Sequence, residues 1–281
     1  MKIRKDPDFN DLVRDAYFDE DLIANVERFR QSPEFIETLK VIGGFVKNSC
    51  KLLDIGSGNG IAAVSFALEG YEVLAIEPDP SDTIGSGAIK KLKEYYQLTN
   101  LEVKELFAEN LFNEKSEFEI AYVRQALHHA RDLNLFVESA AGLLKPGGIF
   151  IAVREHVIYN EKDKLWFLAS HPLQKYYGGE NAFTLLEYNF AFNAAGLRLL
   201  KSFSHYESVI NYSPLNEQDI SQIKRKEIEQ YKKFLVNKYP VVGKNPLIWI
   251  FYKWVKRISE KNLPDEKRLA GRLFSFICEK I

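Results

Sequence analysis

Leu52-Leu53-Asp54-Ile55-Gly56-Ser57-Gly58-Asn59-Gly60 is the stretch from which the rest of the chain can be read. An apolar run ends in an acid, three glycines alternate, and Ile61 to Leu68 then reads as a helix. Strand, tight glycine-rich turn and helix entry make the first half of a βαβ unit that holds a nucleotide-like ligand. Glycine suits such a turn because the backbone must bend sharply and approach the ligand with no Cβ in the way. A dinucleotide fingerprint would need a third small residue at position 61, where Ile61 stands, and a phosphate loop would end in Gly-Lys-Ser/Thr, which is absent. What remains is G-x-G-x-G with an acid two positions before the first glycine.

Outward from that turn, strand and helix patterns alternate between about residues 50 and 154. Tyr71 to Glu77 reads as a second buried strand, followed by a polar-faced helix over residues 85–98. Leu101 to Phe107 and Phe118 to Val123 read as the third and fourth strands, and Leu133 to Leu144 as an amphipathic helix. Lys145-Pro146-Gly147-Gly148 stops that helix and turns into a fifth strand, Ile149 to Val153. Such alternation predicts an α/β fold, a doubly wound, mostly parallel sheet with helices on both faces. Upstream, residues 8–48 read as helical. Ser32-Pro33-Glu34 gives one helix an N-cap hydroxyl, a proline at its first position and an early acid. Downstream, residues 157–183 interrupt the alternation. Thr184 and Glu187 then have capping-box spacing, and Gly196 serves as a C-terminal stop. Leu197 to Phe203 and Tyr206 to Tyr212 read as two strands that pair as a hairpin.

In the stretch from Asp54 to Gly60 and in the motifs that follow it in order, the chain resembles class I S-adenosylmethionine-dependent methyltransferases over residues 50–212. The resemblance implies a Rossmann-like sheet of seven strands, the last two paired and the seventh antiparallel at the edge. It also implies S-adenosylmethionine as the cofactor, methyl transfer as the activity and a small molecule as the acceptor. Asp54, Gly56, Ser57, Gly58 and Gly60 would hold the methionine end. Glu77, with Pro78 beside it, ends the second strand where a carboxylate can accept both ribose hydroxyls. Glu109, or failing that Asn110, stands where the family contacts adenine. Gln125 and Ala126 open the segment that lies beside the methylthio group, which runs on to His128 and His129.

Methyl transfer from a sulfonium is an in-line displacement, so placing the acceptor supplies most of the catalysis. A hydroxyl acceptor also needs its proton taken, which makes His128, Glu155 and His156 the candidate catalytic residues. Arg154, together with His171, Tyr176, Tyr177 and Glu180 of the insertion 157–183, is the candidate acceptor pocket; the string from Arg154 to His156 with Tyr176 to Glu180 resembles a subset of methyltransferases, which implies a polyhydroxylated or glycan-type acceptor. A carbon acceptor on a quinone-like or sterol-like lipid, and a cofactor-binding protein without turnover, are the rival readings. No acid and histidine spacing points to a catalytic metal.

Composition bounds the rest. The chain has 281 residues, 46% of them hydrophobic and 27% charged, with a net charge of -1. That balance gives no general attraction for nucleic acid. No run approaches the ~20 apolar residues of a spanning helix, and the N-terminus has no signal-peptide core, so a cytoplasmic protein is expected. Cys50 and Cys278 read as separate buried thiols rather than a disulfide. The expected organisation is a helical cap over residues 1–48, a cofactor-binding domain over 49–213 and a helical C-terminal extension over 214–281. In that extension residues 247–258 combine aromatic and basic side chains. They could pack on the main domain, make a dimer contact or lie in a membrane interface.

Overall fold

The computed structural model describes residues 21–46, 50–111, 117–170, 181–258 and 272–281. Five parallel strands form the heart of a sheet: β1 (Lys51–Ile55), β2 (Glu72–Ile76), β3 (Leu101–Lys104), β4 (Phe118–Arg124) and β5 (Leu144–Ile158). A two-residue strand β6 (Phe183–Thr184) pairs with the end of β5. With β7 (Leu197–Phe203) and β8 (Arg272–Lys280), the order across the sheet is β3-β2-β1-β4-β5-β8-β7.

Period-2 alternation divides the strands between two apolar layers. Leu53, Ile55, Ala121, Val123, Phe150, Ala152, Phe276 and Cys278 face one layer. It is covered by α5 (Leu133–Gly142) and α7 (Leu185–Ala194). Leu52, Ile120, Tyr122, Ile149, Ile151, Val153 and Ile277 face the other. There α1 (Leu22–Arg30), α2 (Pro33–Gly43), α3 (Ile61–Leu68) and α4 (Ser86–Tyr95) pack. Ser32 caps α2 by accepting from Phe35 N at 3.2 Å, and Thr184 and Glu187 close the capping box of α7. Cys50 and Cys278 are free thiols, pushed by burial to about 11 and about 12. A short helix α6 (Glu161–Ser170) follows β5.

Two expectations fail on the far side of β5. Tyr206 to Tyr212 is no strand; its second half is the short helix α8 (Val209–Tyr212), capped by Ser208. The partner of β7 is β8, which arrives from the C-terminus and runs antiparallel to both β5 and β7. The antiparallel strand therefore lies one in from the edge, and residues 272–281 belong to the sheet rather than to a helical extension. Burial explains the arrangement. Phe274, Phe276, Ile277 and Cys278 are buried, as a strand covered on both faces requires. In β7 most side chains are exposed, and Arg198 and Lys201 guard an edge that would otherwise invite pairing.

Two compact units result, residues 1–213 with 271–281, and residues 214–270. The second unit contains α9 (Glu217–Lys238), α10 (Pro240–Lys244) and α11 (Pro246–Val255). Tyr231, Leu235, Trp249 and Ile258 form its own small core. No helix among the described residues is long and apolar enough to cross a membrane.

Candidate active site

At the C-terminal end of β1 the chain turns through three left-handed glycines, Gly56 (φ 70), Gly58 (φ 55) and Gly60 (φ 82). An added Cβ at Gly56 would lie 2.6 Å from Ala126 Cβ, and one at Gly60 would lie 2.7 Å from Ile89. At Gly58 it would meet nothing within 4 Å, so that position opens onto free space. Glu77, just past β2, accepts from Gly58 N at 2.7 Å and from Asp79 N at 2.9 Å. Its burial raises the carboxyl above the ordinary range, against the pull of those two N–H groups. Pro78 follows it, half-buried. Asp54 is buried at the end of β1, and its Oδ2 has no hydrogen-bond partner among the described residues. Burial pushes its carboxyl up to about 7, while the Ser57 hydroxyl and Arg124 pull the other way. Glu109 and Asn110 share a single 3₁₀ turn after β3, Glu109 half-buried and Asn110 exposed.

These features fit the cofactor named above. A cradle without Cβ atoms, an orphaned buried carboxylate oxygen at one end and a carboxylate with spare lone pairs at the next strand are complementary to an amino acid joined to a ribose.

Beyond β4, Gln125 takes a left-handed conformation (φ 52), and Ala126 packs against the glycine turn. A 3₁₀ turn over Leu127–His129 follows. Glu155 lies beneath it, fully buried. Its Oε1 accepts from Ala126 N at 3.0 Å, and its Oε2 accepts from His128 N at 3.1 Å and sits 2.9 Å from His128 Nδ1. Burial drives the Glu155 carboxyl to about 7, against the pull of the N–H groups of 126–128. The centre of the His128 ring lies 4.2 Å from that of His129 and 4.6 Å from that of His156, the planes tilted by 38° and 36°, and His156 meets Phe167 at 4.9 Å.

Arg154 and Glu155 do not take the acceptor-facing positions expected of them. The strand β5 runs past Val153 to Ile158 and carries one extra residue against β8 between Ala152 and Glu155. This bulge coincides with a left-handed Arg154 (φ 60) and exchanges the two faces of the strand beyond it. Arg154 consequently turns toward α2 and α8, where its Nη1 donates to Ile210 O, Asn211 O and Ser213 O and lies 3.4 Å from Glu34. Glu155 turns to the face of Phe150 and Ala152. His171, Tyr176, Tyr177 and Glu180 lie outside the described residues.

Three supporting residues were not anticipated. Glu34 receives Arg124 on both oxygens, at 2.6 and 3.2 Å, so one carboxylate neutralises two guanidinium groups. Asn211 is buried, donates to Phe203 O and Ser204 O, and accepts from Ser275 Oγ at 2.6 Å. A charged residue ending an apolar strand, as Arg124 does, was the available signal. Glu34 reads locally as the early acid of a helix start, and its two arginine partners are remote in sequence.

The family described as "Methyltransferase domain" matches residues 15–202. A ubiquinone biosynthesis O-methyltransferase of Rhizobium etli is 30% identical over 142 residues, half of this chain and 51% of that protein. A protein of the same name from Bartonella tribocorum is 28% identical over 106 residues, 37% of this chain and 41% of that protein. The chain thus spans about half or less of the length of these curated relatives. Among solved structures, a putative methyltransferase of Bacillus halodurans superposes with a TM-score of 0.55 at 18% identity. That match covers 87% of this chain and 98% of the other. Phosphoethanolamine N-methyltransferase 2 of Haemonchus contortus, solved with S-adenosyl-L-methionine, gives 0.54 at 18% identity over 97% of this chain and 60% of its own. Family match, strand order and glycine turn agree, and the chain belongs to the methyltransferase domain family as a class I S-adenosylmethionine-dependent methyltransferase.

Proposed function

We propose that the protein transfers a methyl group to a hydroxyl on a small ring-bearing acceptor, with His128 as general base and Glu155 as the residue that positions it. The observation that carries this reading is the buried Glu155–His128 pair, held in a turn whose Ala126 touches the glycine cradle. S-adenosylmethionine, when bound, would supply the electrophilic methyl. Gly58 would leave room for it, Gly56 and Gly60 let the turn close against Ala126 and Ile89, Glu77 would hold its ribose, and Asp54 would offer its unpartnered oxygen to the methionine end. An ionised Glu155 holds the His128 proton on Nδ1, which leaves Nε2 as the basic atom to take the hydroxyl proton. Contact with the tilted His129 and His156 rings restrains the imidazole, and Phe167 adds an apolar neighbour beside His156. The printed names of the curated relatives, O-methyltransferases of ubiquinone biosynthesis, support oxygen over carbon and a ring over an open polyol.

The polyhydroxylated or glycan acceptor has less support among the described residues, since Arg154 is committed to backbone carbonyls and Glu34, and Glu155 to its turn. His128→Ala tests the proposal. Affinity for S-adenosylhomocysteine should stay near wild type while methylation of catechol-type acceptors falls ~10²-fold or more, the usual contribution of a general base. Undiminished turnover would remove His128 from the mechanism. A product methylated on ring carbon would favour the carbon-acceptor rival.

A further inference from the structure

The surface of the second unit carries an apolar stripe with no described residue set against it. Helix α11 already spends one face on its own core. Trp249 is 7% exposed, stacks on Tyr252 at 6.2 Å and joins Tyr231 and Leu235 of α9. The opposite face would ordinarily be polar. Instead Leu247 (77% exposed), Ile250 (58%), Phe251 (63%) and Trp254 (75%) stand there at helical i, i+3, i+4, i+7 spacing. Phe251 and Trp254 touch at 6.0 Å, so the stripe is continuous at its aromatic end.

Charge says what covers it. From Gln230 to Ile258 the sequence has seven basic residues and no aspartate or glutamate, in a chain whose net charge is -1. Lys244 precedes the stripe, and Lys253, Lys256 and Arg257 close it, the last two exposed. The Lys253 and Lys232 ammonium groups lie 5.6 and 5.9 Å from the centre of the Trp249 ring, which faces the core of the unit. An apolar helix face bordered by cations, with tryptophan and phenylalanine at one end, fits a bilayer interface with anionic headgroups. A second copy of the chain would bring the same seven cations against these. Like charges oppose that contact.

We propose that residues 244–257 dock this protein onto an anionic lipid surface, with Leu247, Ile250, Phe251 and Trp254 entering the headgroup region. The docking is independent of the methyl-transfer reading. It is tested by flotation of the full chain with vesicles of phosphatidylcholine alone and of phosphatidylcholine mixed with phosphatidylserine. The chain should float with the mixed vesicles, much less with phosphatidylcholine, and detach as salt is raised. Phe251→Ala with Trp254→Ala should lower binding at least ~10-fold with an unchanged circular dichroism spectrum, because both side chains are exposed. Lys256→Gln and Arg257→Gln should each lower it ~5-fold, which corresponds to ~1 kcal/mol per basic residue near such a surface. Failure to float with the mixed vesicles overturns the proposal, as does flotation indifferent to the aromatic double change. A sedimenting dimer that the double change converts to monomer, in a chain that ignores vesicles, gives the face to a second copy and also overturns it.

Discussion

Glu155→Gln separates what the buried carboxylate does for the reaction from what it does to the fold. The side chain is fully buried, and its two oxygens take the N–H groups of Ala126 and His128 and the His128 ring. Raising its carboxyl from the ordinary 4.5 to about 7 corresponds to ~3 kcal/mol against the ionised form. The sign follows from linkage. A carboxyl with a raised folded-state pKa gives its full stabilisation below 4.5 and loses it as pH rises to about 7. The wild type therefore holds an ionised Glu155 at pH 8 at a cost to stability that glutamine does not carry. Glutamine has one acceptor oxygen for three donors, and an orphaned donor costs ~1–3 kcal/mol at any pH. Urea unfolding of both proteins at pH 5 and pH 8 isolates the pH-dependent part. The stability of the variant relative to wild type should move ~3 kcal/mol in its favour between the two. Asp54, also pushed to about 7, is present in both proteins and drops out of the comparison. Turnover should move the other way, falling at least ~10-fold at pH 8, because the His128 tautomer is no longer held by a charge. A stability difference that is the same at both pH values would refute the reasoning, since Glu155 would then not titrate in that window.

Three further outcomes follow from the same geometry. Glu77→Ala should weaken S-adenosylhomocysteine binding ~10- to 100-fold by calorimetry, the loss of a charged acceptor worth ~1.5–3 kcal/mol, without unfolding the chain. Gly58→Ala should fold at a cost of only ~1–2 kcal/mol for its left-handed backbone, because its Cβ meets nothing, yet bind the cofactor poorly; Gly56→Ala should melt distinctly lower, because its Cβ strikes Ala126 at 2.6 Å. Glu34→Gln should destabilise the first unit by ~3–5 kcal/mol in urea unfolding, since Arg124 and Arg154 lose the carboxylate that both of them approach.

The parallel half of the sheet was legible because its signals are local. Asp54 to Gly60 marks a strand end and a glycine turn, the runs that became β2 and β4 are continuously apolar, and the run that became β3 alternates. The edge beyond β5 was not, because adjacency there is not adjacency in sequence. Tyr206 to Tyr212 follows β7 closely and is rich in strand-forming residues, so it looked like the pairing partner. The true partner lies beyond a 57-residue excursion, Pro214 to Ala270. Propensity cannot weigh a nearby candidate against one that buries more. Phe274, Phe276 and Cys278 join the core layer of α5 and α7, whereas Val209 to Tyr212 closes over the other layer through Ile210.

The same limit, on the scale of one residue, explains Glu155. Continuous alternation along β5 sets 149, 151, 153 and 155 on one face, and it would carry Glu155 to the layer of α2 and α8. The bulge at Arg154 inserts a single step, and Glu155 and Val157 join the face of Phe150 and Ala152 instead. Nothing in Val153-Arg154-Glu155-His156 announces that step. No glycine stands there to lower the cost of the positive φ, and an arginine takes it. The cost is met elsewhere, by Ser275 Oγ accepting from Arg154 N and by three carbonyls and Glu34 around the guanidinium. All of those partners are remote in sequence. The bulge thus aims two adjacent side chains in opposite directions, Arg154 to tie α2 and α8 to the sheet, and Glu155 to fix the histidine turn against the cradle. Removing the partners of Arg154 should therefore disturb His128.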